Sequence, residues 1–70
     1  MESKQVNKLG KSIKEFRLKT GLSQDDLARK AKVAYTTLTK IETGIIKNPS
    51  VMITAKIAKA LDVSIDNLIK

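Results

Sequence analysis

The chain contains no cysteine, no histidine and no tryptophan, and it has one proline, one phenylalanine and one tyrosine. Without cysteine, neither a disulfide nor a thiolate metal site can hold the fold together. Without histidine, the commonest general base and zinc ligand is missing. No nucleophile–base arrangement replaces it, so no enzymatic activity, metal or other cofactor is expected. No apolar run nears the roughly 20 residues of a membrane span. The opening stretch MESKQVNKLG lacks the apolar centre of a secretion signal. A location in the cytoplasm, or in the nucleoid region of a prokaryote, is therefore expected. Acidic side chains are scarce, 7 against 14 basic ones, which leaves a net charge of +7. That excess makes a polyanion the natural partner. A membrane surface fits less well, because the Trp- and Phe-rich apolar face of an interfacial helix is absent.

A chain of 70 residues makes a single domain, residues 1–70, with one small core. Residues 1–5 are expected to form a flexible arm. Two aromatic rings leave that core to aliphatic side chains. Helix-start signals organise the rest. In Leu22-Ser23-Gln24-Asp25-Asp26-Leu27, Ser23 is placed as an N-cap and Asp26 as its capping-box partner, with Leu22 and Leu27 as a hydrophobic staple. Val63-Ser64-Ile65-Asp66-Asn67-Leu68 repeats this grammar. Val33 and Leu38 have staple spacing as well, but Ala34 between them cannot cap, a loss of about 1 kcal/mol. Pro49 can occupy a first helical position, where its missing N–H does no harm.

Five helices are predicted and no strand. The first runs from Val6 to Lys19, with Val6, Leu9, Ile13 and Phe16 on one apolar stripe. It stops at Thr20-Gly21. The second runs from Gln24 to Lys30, with Leu27, Ala28 and Ala31 inward. The third runs from Tyr35 to Thr43, with Leu38 and Ile41 inward and Gly44 ending it in a left-handed conformation. The fourth runs from Pro49 to Leu61 and is expected to bury Val51, Ile57, Ala58 and Leu61. A short fifth helix covers Ile65 to Ile69. The second and third helices are joined by a tight turn, and the third exposes Tyr35, Thr36, Thr39 and Lys40. Small polar, aromatic and basic side chains on one exposed face are what a helix in the DNA major groove needs.

The same stretches resemble the phage-repressor and Cro type of helix-turn-helix domain, also called the xenobiotic-response-element-like family. The residues that carry the resemblance are Gly21-Leu22-Ser23-Gln24 with Leu27-Ala28, then Leu38-Thr39-Lys40-Ile41-Glu42-Thr43-Gly44. Asn48-Pro49-Ser50 and Ile57-Ala58-Lys59-Ala60-Leu61-Asp62-Val63-Ser64 with Leu68 follow in order. The resemblance covers Leu9 to Ile69. It implies a compact, all-α, five-helix, lambda-repressor-like domain that binds operator DNA, usually as a dimer.

Carried over position by position, the resemblance places Tyr35, Thr36 and Lys40 at base edges and Gln24 at a phosphate; Thr39 is read as a further base contact, and Ser23, Thr37, Thr43, Lys47 and Asn48 as further phosphate contacts. Gln24 would sit at a helix start, where the dipole favours an anion, or it is simply a solvated polar residue. Lys40 can reach guanine O6 and N7, or can clamp a phosphate without reading sequence. Tyr35 can meet a base, donate to a phosphate or pack on the domain itself. The resemblance also implies an ion pair between Arg17 and Glu42, joining the first helix to the end of the third; a guanidinium fork suits a partly buried carboxylate better than lysine.

Two positions depart from the family pattern. Lys32 stands in the turn where glycine is frequent, and a positive φ there would cost about 1 kcal/mol. Thr54 stands where a large aliphatic residue is common. Ile45, Ile46, Met52 and Ile53 are either a dimer contact or part of the small core. The expected function is that of a sequence-specific transcriptional regulator. It would be a repressor bound as a homodimer to a pseudo-palindromic site on double-stranded DNA, with no small-molecule ligand. The alternatives are the DNA-binding part of an antitoxin or restriction-modification controller, and a protein-interaction adaptor of the same fold.

Overall fold

The computed structural model describes residues 8–69. Helices α1 (Lys8–Lys19), α2 (Gln24–Ala31), α3 (Tyr35–Thr43), α4 (Val51–Leu61) and α5 (Ile65–Ile69) follow in order, with no strand among the described residues. Val6 and the arm at 1–5 lie outside the described residues.

Local sequence explains where the helices begin. The Ser23 hydroxyl accepts from the Asp26 backbone N–H at 3.0 Å, and the Asp26 carboxylate accepts in return from the Ser23 N–H at 3.4 Å. This is the predicted capping box, with a weaker return bond. At α3, Ala34 is extended and makes no side-chain cap bond, as expected. The start of α4 differs from the sequence reading. Pro49 is not its first residue: Ser50 is the N-cap, and its hydroxyl accepts from the Ile53 N–H at 3.1 Å. A hydroxyl that satisfies an orphan donor outweighs the tolerance of proline for a first turn.

The ends of α1, α2 and α4 share one device. At α1, Leu22 N–H reaches the Arg17 carbonyl at 3.2 Å; at α2, Val33 reaches Ala28 at 3.0 Å; at α4, Val63 reaches Ala58 at 3.0 Å. Each is the long bond of a Schellman closure and needs a left-handed residue just before it. Those residues are Gly21 (φ 77), Lys32 (φ 60) and Asp62 (φ 61). Aspartate tolerates this conformation better than lysine does, so the strain is concentrated at Lys32. The condition attached to that turn is thus met.

Ile13, Leu27, Leu38, Ile41, Ile57 and Leu68 are fully buried, and every helix contributes to this cluster. Each such side chain contributes about 1.5–3 kcal/mol relative to exposure. Helix α2 packs against both α3 and α4, and α1 spans α3 and α5. The Cα radius of gyration, 10.9 Å, matches the roughly 11 Å of a compact domain of this length. Thr54 is buried, and its hydroxyl donates to the Ser50 carbonyl at 3.0 Å, so the departure from an aliphatic residue leaves no orphaned polar group.

Val51 was expected in the core but is 77% exposed. It occupies the first turn of α4, on the rim of an open groove it shares with Leu9, Pro49, Thr54, Ile65 and Ile69. Periodicity alone puts it on the face of Thr54 and Ile57, but the packed part of that face begins one turn later. The four residues with two readings separate. Ile46 and Ile53 pack against the core, while Ile45 and Met52 are 71% and 67% exposed.

Candidate nucleic-acid interface

Helix α3 buries Leu38, Ile41 and Glu42. Opposite that face lie Thr36, Lys40 and Thr43, all exposed, at the i, i+4 and i+7 spacing of one helical stripe. Tyr35, 49% exposed, and half-buried Thr39 and Thr37 flank the stripe. Of the residues read as base contacts, then, Thr36 and Lys40 share the outermost face, with Tyr35 and Thr39 beside them. Ser23, Lys47 and Asn48 are exposed at the adjoining edges, and Gln24 is half-buried.

Hydrogen bonding narrows what the threonines can do. The Thr39 hydroxyl donates to the Thr36 carbonyl at 2.9 Å, and the Thr43 hydroxyl donates to the Thr39 carbonyl at 2.9 Å. In these rotamers both present lone pairs and a methyl group to solvent. Thr39 therefore offers an acceptor to a base amino group, or its methyl to a thymine methyl. A phosphate is an acceptor, so Thr43 must turn its hydroxyl away from the helix to bind one.

The orientation of this stripe is set from below. Arg17 Nε donates to Glu42 Oε2 at 2.8 Å and Arg17 Nη2 donates to Oε1 at 3.2 Å. The pair is bidentate and its side chains are only 9% and 2% exposed. The expected ion pair is present, and it is buried. Arg17 Nη1 also donates to the Leu22 carbonyl at 2.9 Å, and Gln24 Nε2 donates to Glu42 Oε1 at 3.1 Å. One carboxylate thus ties α1, the first turn of α2 and the last turn of α3 together. Sequence reasoning missed the Gln24 and Leu22 contacts. They depend on tertiary approach, and a polar residue at a helix start gives no local sign of a partner on another helix.

Charge follows the same division. Between Tyr35 and Asn48 the only acidic residue is Glu42, which is buried against Arg17. The exposed side of α3 and the following loop therefore carries only the positive charge of Lys40 and Lys47. Asp25 and Asp26 sit near Gln24, but Arg29 Nη2 meets them at 2.7 and 3.4 Å. The Asp26 carboxyl is held below the usual carboxylate range by hydrogen bonding with the Ser23 hydroxyl, then the Ser23 N–H, and by the nearby Arg29 charge. No group of three His, Cys, Asp or Glu side chains among the described residues is placed to hold a metal ion. No helix among them is long and apolar enough to cross a membrane.

A family model described as helix-turn-helix matches residues 13–68. The HTH-type transcriptional regulator SinR of Bacillus subtilis (strain 168) is 39% identical over 61 residues, which are 87% of this chain and 55% of SinR. The chain thus spans just over half the length of that relative. A crystal structure of SinR, the master regulator for biofilm formation, in complex with DNA superposes with a TM-score of 0.86 at 39% identity, over 89% of this chain and 98% of that one. The restriction-modification controller protein C.AhdI from Aeromonas hydrophila superposes with a TM-score of 0.85 at 32% identity, over 90% of this chain and 94% of that one.

Proposed function

The chain belongs to the helix-turn-helix family, and from that premise we propose that it is a transcriptional regulator that binds double-stranded DNA. It represses by occupying a pseudo-palindromic operator as a homodimer. The observation that carries this reading is the exposed Thr36–Lys40 stripe of α3, locked to the start of α2 by the buried Arg17–Glu42 pair and its half-buried partner Gln24. Helix α3 enters the major groove. Tyr35, Thr36, Thr39 and Lys40 meet base edges, and Ser23, Gln24, Thr37, Thr43, Lys47 and Asn48 approach the backbone. Lys40 is long enough for guanine O6 and N7, and Thr36 fits an edge or a thymine methyl. The start of α3 has no side-chain cap, which leaves its first-turn N–H donors for a phosphate.

The protein acts by binding and not by catalysis, in the cytoplasm. Its two copies are joined through α4, α5 and the 45–48 loop, where Ile45, Val51, Met52 and Ile69 are exposed. Their recognition helices then lie about 34–36 Å apart on one face of the duplex. The similarity to C.AhdI favours a second reading, a restriction-modification controller, which uses the same interface on a different operator. The test is a footprint on the DNA flanking the protein's own coding region, followed by a salt titration. With about 4–8 phosphates neutralised, log K falls against log salt with a slope of about 0.9 for each. An affinity that stays flat between about 50 and 200 mM salt contradicts the proposal and favours an adaptor.

A further inference from the structure

Gln24 is half-buried at the first position of α2. Its Nε2 donates to Glu42 Oε1 at 3.1 Å, and among the described residues its amide makes no other hydrogen bond. A carboxylate offers acceptors only, so the amide must turn its nitrogen, and not its oxygen, toward Glu42. Glu42 is itself fixed: Arg17 Nε and Nη2 grip it at 2.8 and 3.2 Å, and its side chain is 2% exposed. The amide nitrogen carries two hydrogens. Glu42 takes one, and the other remains as a donor at the edge of the DNA-facing surface.

Glutamine is among the side chains with the most rotamer freedom to lose. A solvated glutamine would lose that freedom on binding, which offsets much of what its hydrogen bond contributes. Here folding has already removed it. The anchor is rigid, because Glu42 lies in α3 and Arg17 in α1, and these helices pack against each other. Nearby negative charge is contained as well. Arg29 meets the Asp25 and Asp26 carboxylates at 2.7 and 3.4 Å, so the acids that follow Gln24 do not stand unpaired against an anion.

We propose that Glu42 is a positioning residue for DNA binding: it pins the Gln24 amide so that the second N–H is delivered to a backbone phosphate. This role rests on the DNA-binding reading above and separates two kinds of backbone contact. Lys47 brings charge. Gln24 brings a neutral donor already set in place, and its contribution depends on a buried carboxylate beneath it. Two signatures follow. A neutral amide releases no counterion, so its removal weakens binding without changing the salt slope, unlike removal of a lysine. A phosphate contact carries no sequence information, so the loss is the same on every duplex.

Gln24→Met keeps the length of the side chain and leaves the Arg17–Glu42 pair intact. In the full chain it weakens binding about tenfold or more, by the same factor on the operator and on a scrambled duplex, with the salt slope unchanged. In a chain that already carries Arg17→Met and Glu42→Met, the same substitution costs less than about threefold, because the amide there has lost its anchor. A full-sized loss in that background would overturn the proposal, as would no loss in the full chain. A loss confined to the operator would also overturn it and make Gln24 a strut for α3. The side-chain amide resonances of Gln24 in the wild-type protein give a second measurement that no folding defect can disturb. One proton is expected downfield of a free glutamine's before DNA is added, through its bond to the carboxylate, and the other moves when duplex is added. Free-glutamine positions for both protons, before and after, would overturn the proposal. Wild-type protein that binds neither duplex would instead contradict the DNA-binding reading itself.

Discussion

Replacing Arg17 by methionine keeps its aliphatic stem in place but removes three donors. Two of them serve Glu42, at 2.8 and 3.2 Å, and the third serves the Leu22 carbonyl at 2.9 Å. Glu42 then loses two charge-assisted donors in a site where its side chain is 2% exposed. Removing one partner of a buried pair costs about 3–5 kcal/mol, against about 0–1 kcal/mol at a surface. A chain of 70 residues has a stability of about 4–10 kcal/mol, so the change removes a large share of it. Glu42→Met strands the guanidinium and has an effect of similar size. The double variant strands neither charge, so its loss falls below the sum of the single losses by at least about 2 kcal/mol. Urea unfolding followed by far-UV circular dichroism measures all three. Although folded, the double variant also binds DNA more weakly, because α3 is no longer tied to the start of α2. Single losses below about 1 kcal/mol that simply add would refute the reasoning and reduce the pair to surface charges.

Asp26→Asn weakens the α2 capping box. Because the folded state holds the Asp26 carboxyl below its usual range, its contribution is complete at neutral pH and is lost as acidification passes the folded pKa. The stability gap between wild type and variant therefore closes in acid, and a gap constant across an acid titration would contradict this. Lys32→Gly relieves the left-handed strain at φ 60 and stabilises the domain by about 0.5–1 kcal/mol, net of glycine's unfolded-state entropy. A melting temperature that falls instead would show that contacts of the lysine stem outweigh the strain. Ala34→Asp supplies the missing cap and stabilises α3 by about 1 kcal/mol, yet it weakens duplex binding by setting a carboxylate beside phosphates. Unchanged or tighter binding would place the start of α3 away from the DNA.

The features legible in the sequence are those decided within a few residues. Ser23 and Asp26 lie in one turn, so their capping box follows from spacing. Ala34 lacks a hydroxyl whatever surrounds it. The reading that put Pro49 first in α4 failed because proline tolerates a helix start without fixing one, and only the backbone shows that the first-turn N–H of Ile53 meets the Ser50 hydroxyl. Val51 has the right period for the core but lies beyond the part of α4 that neighbouring helices cover. The Arg17–Glu42 pair, 25 residues apart, came through family resemblance, since nothing local joins the two. The Gln24–Glu42 bond came through neither route. It requires the end of α3 to pass the start of α2, which only the packed core determines.

In the proposed mode of binding, the exposed stripe of α3 reads base sequence while its rim grips the backbone. Binding of Lys40→Ala to the footprinted operator and to a scrambled duplex, at matched salt, tests this most directly. The expected loss is about 1–3 kcal/mol, roughly 5- to 150-fold, on the operator and much less on the scrambled duplex. Equal weakening on both would make Lys40 a phosphate clamp, and no weakening on either would contradict the placement of α3 in the groove.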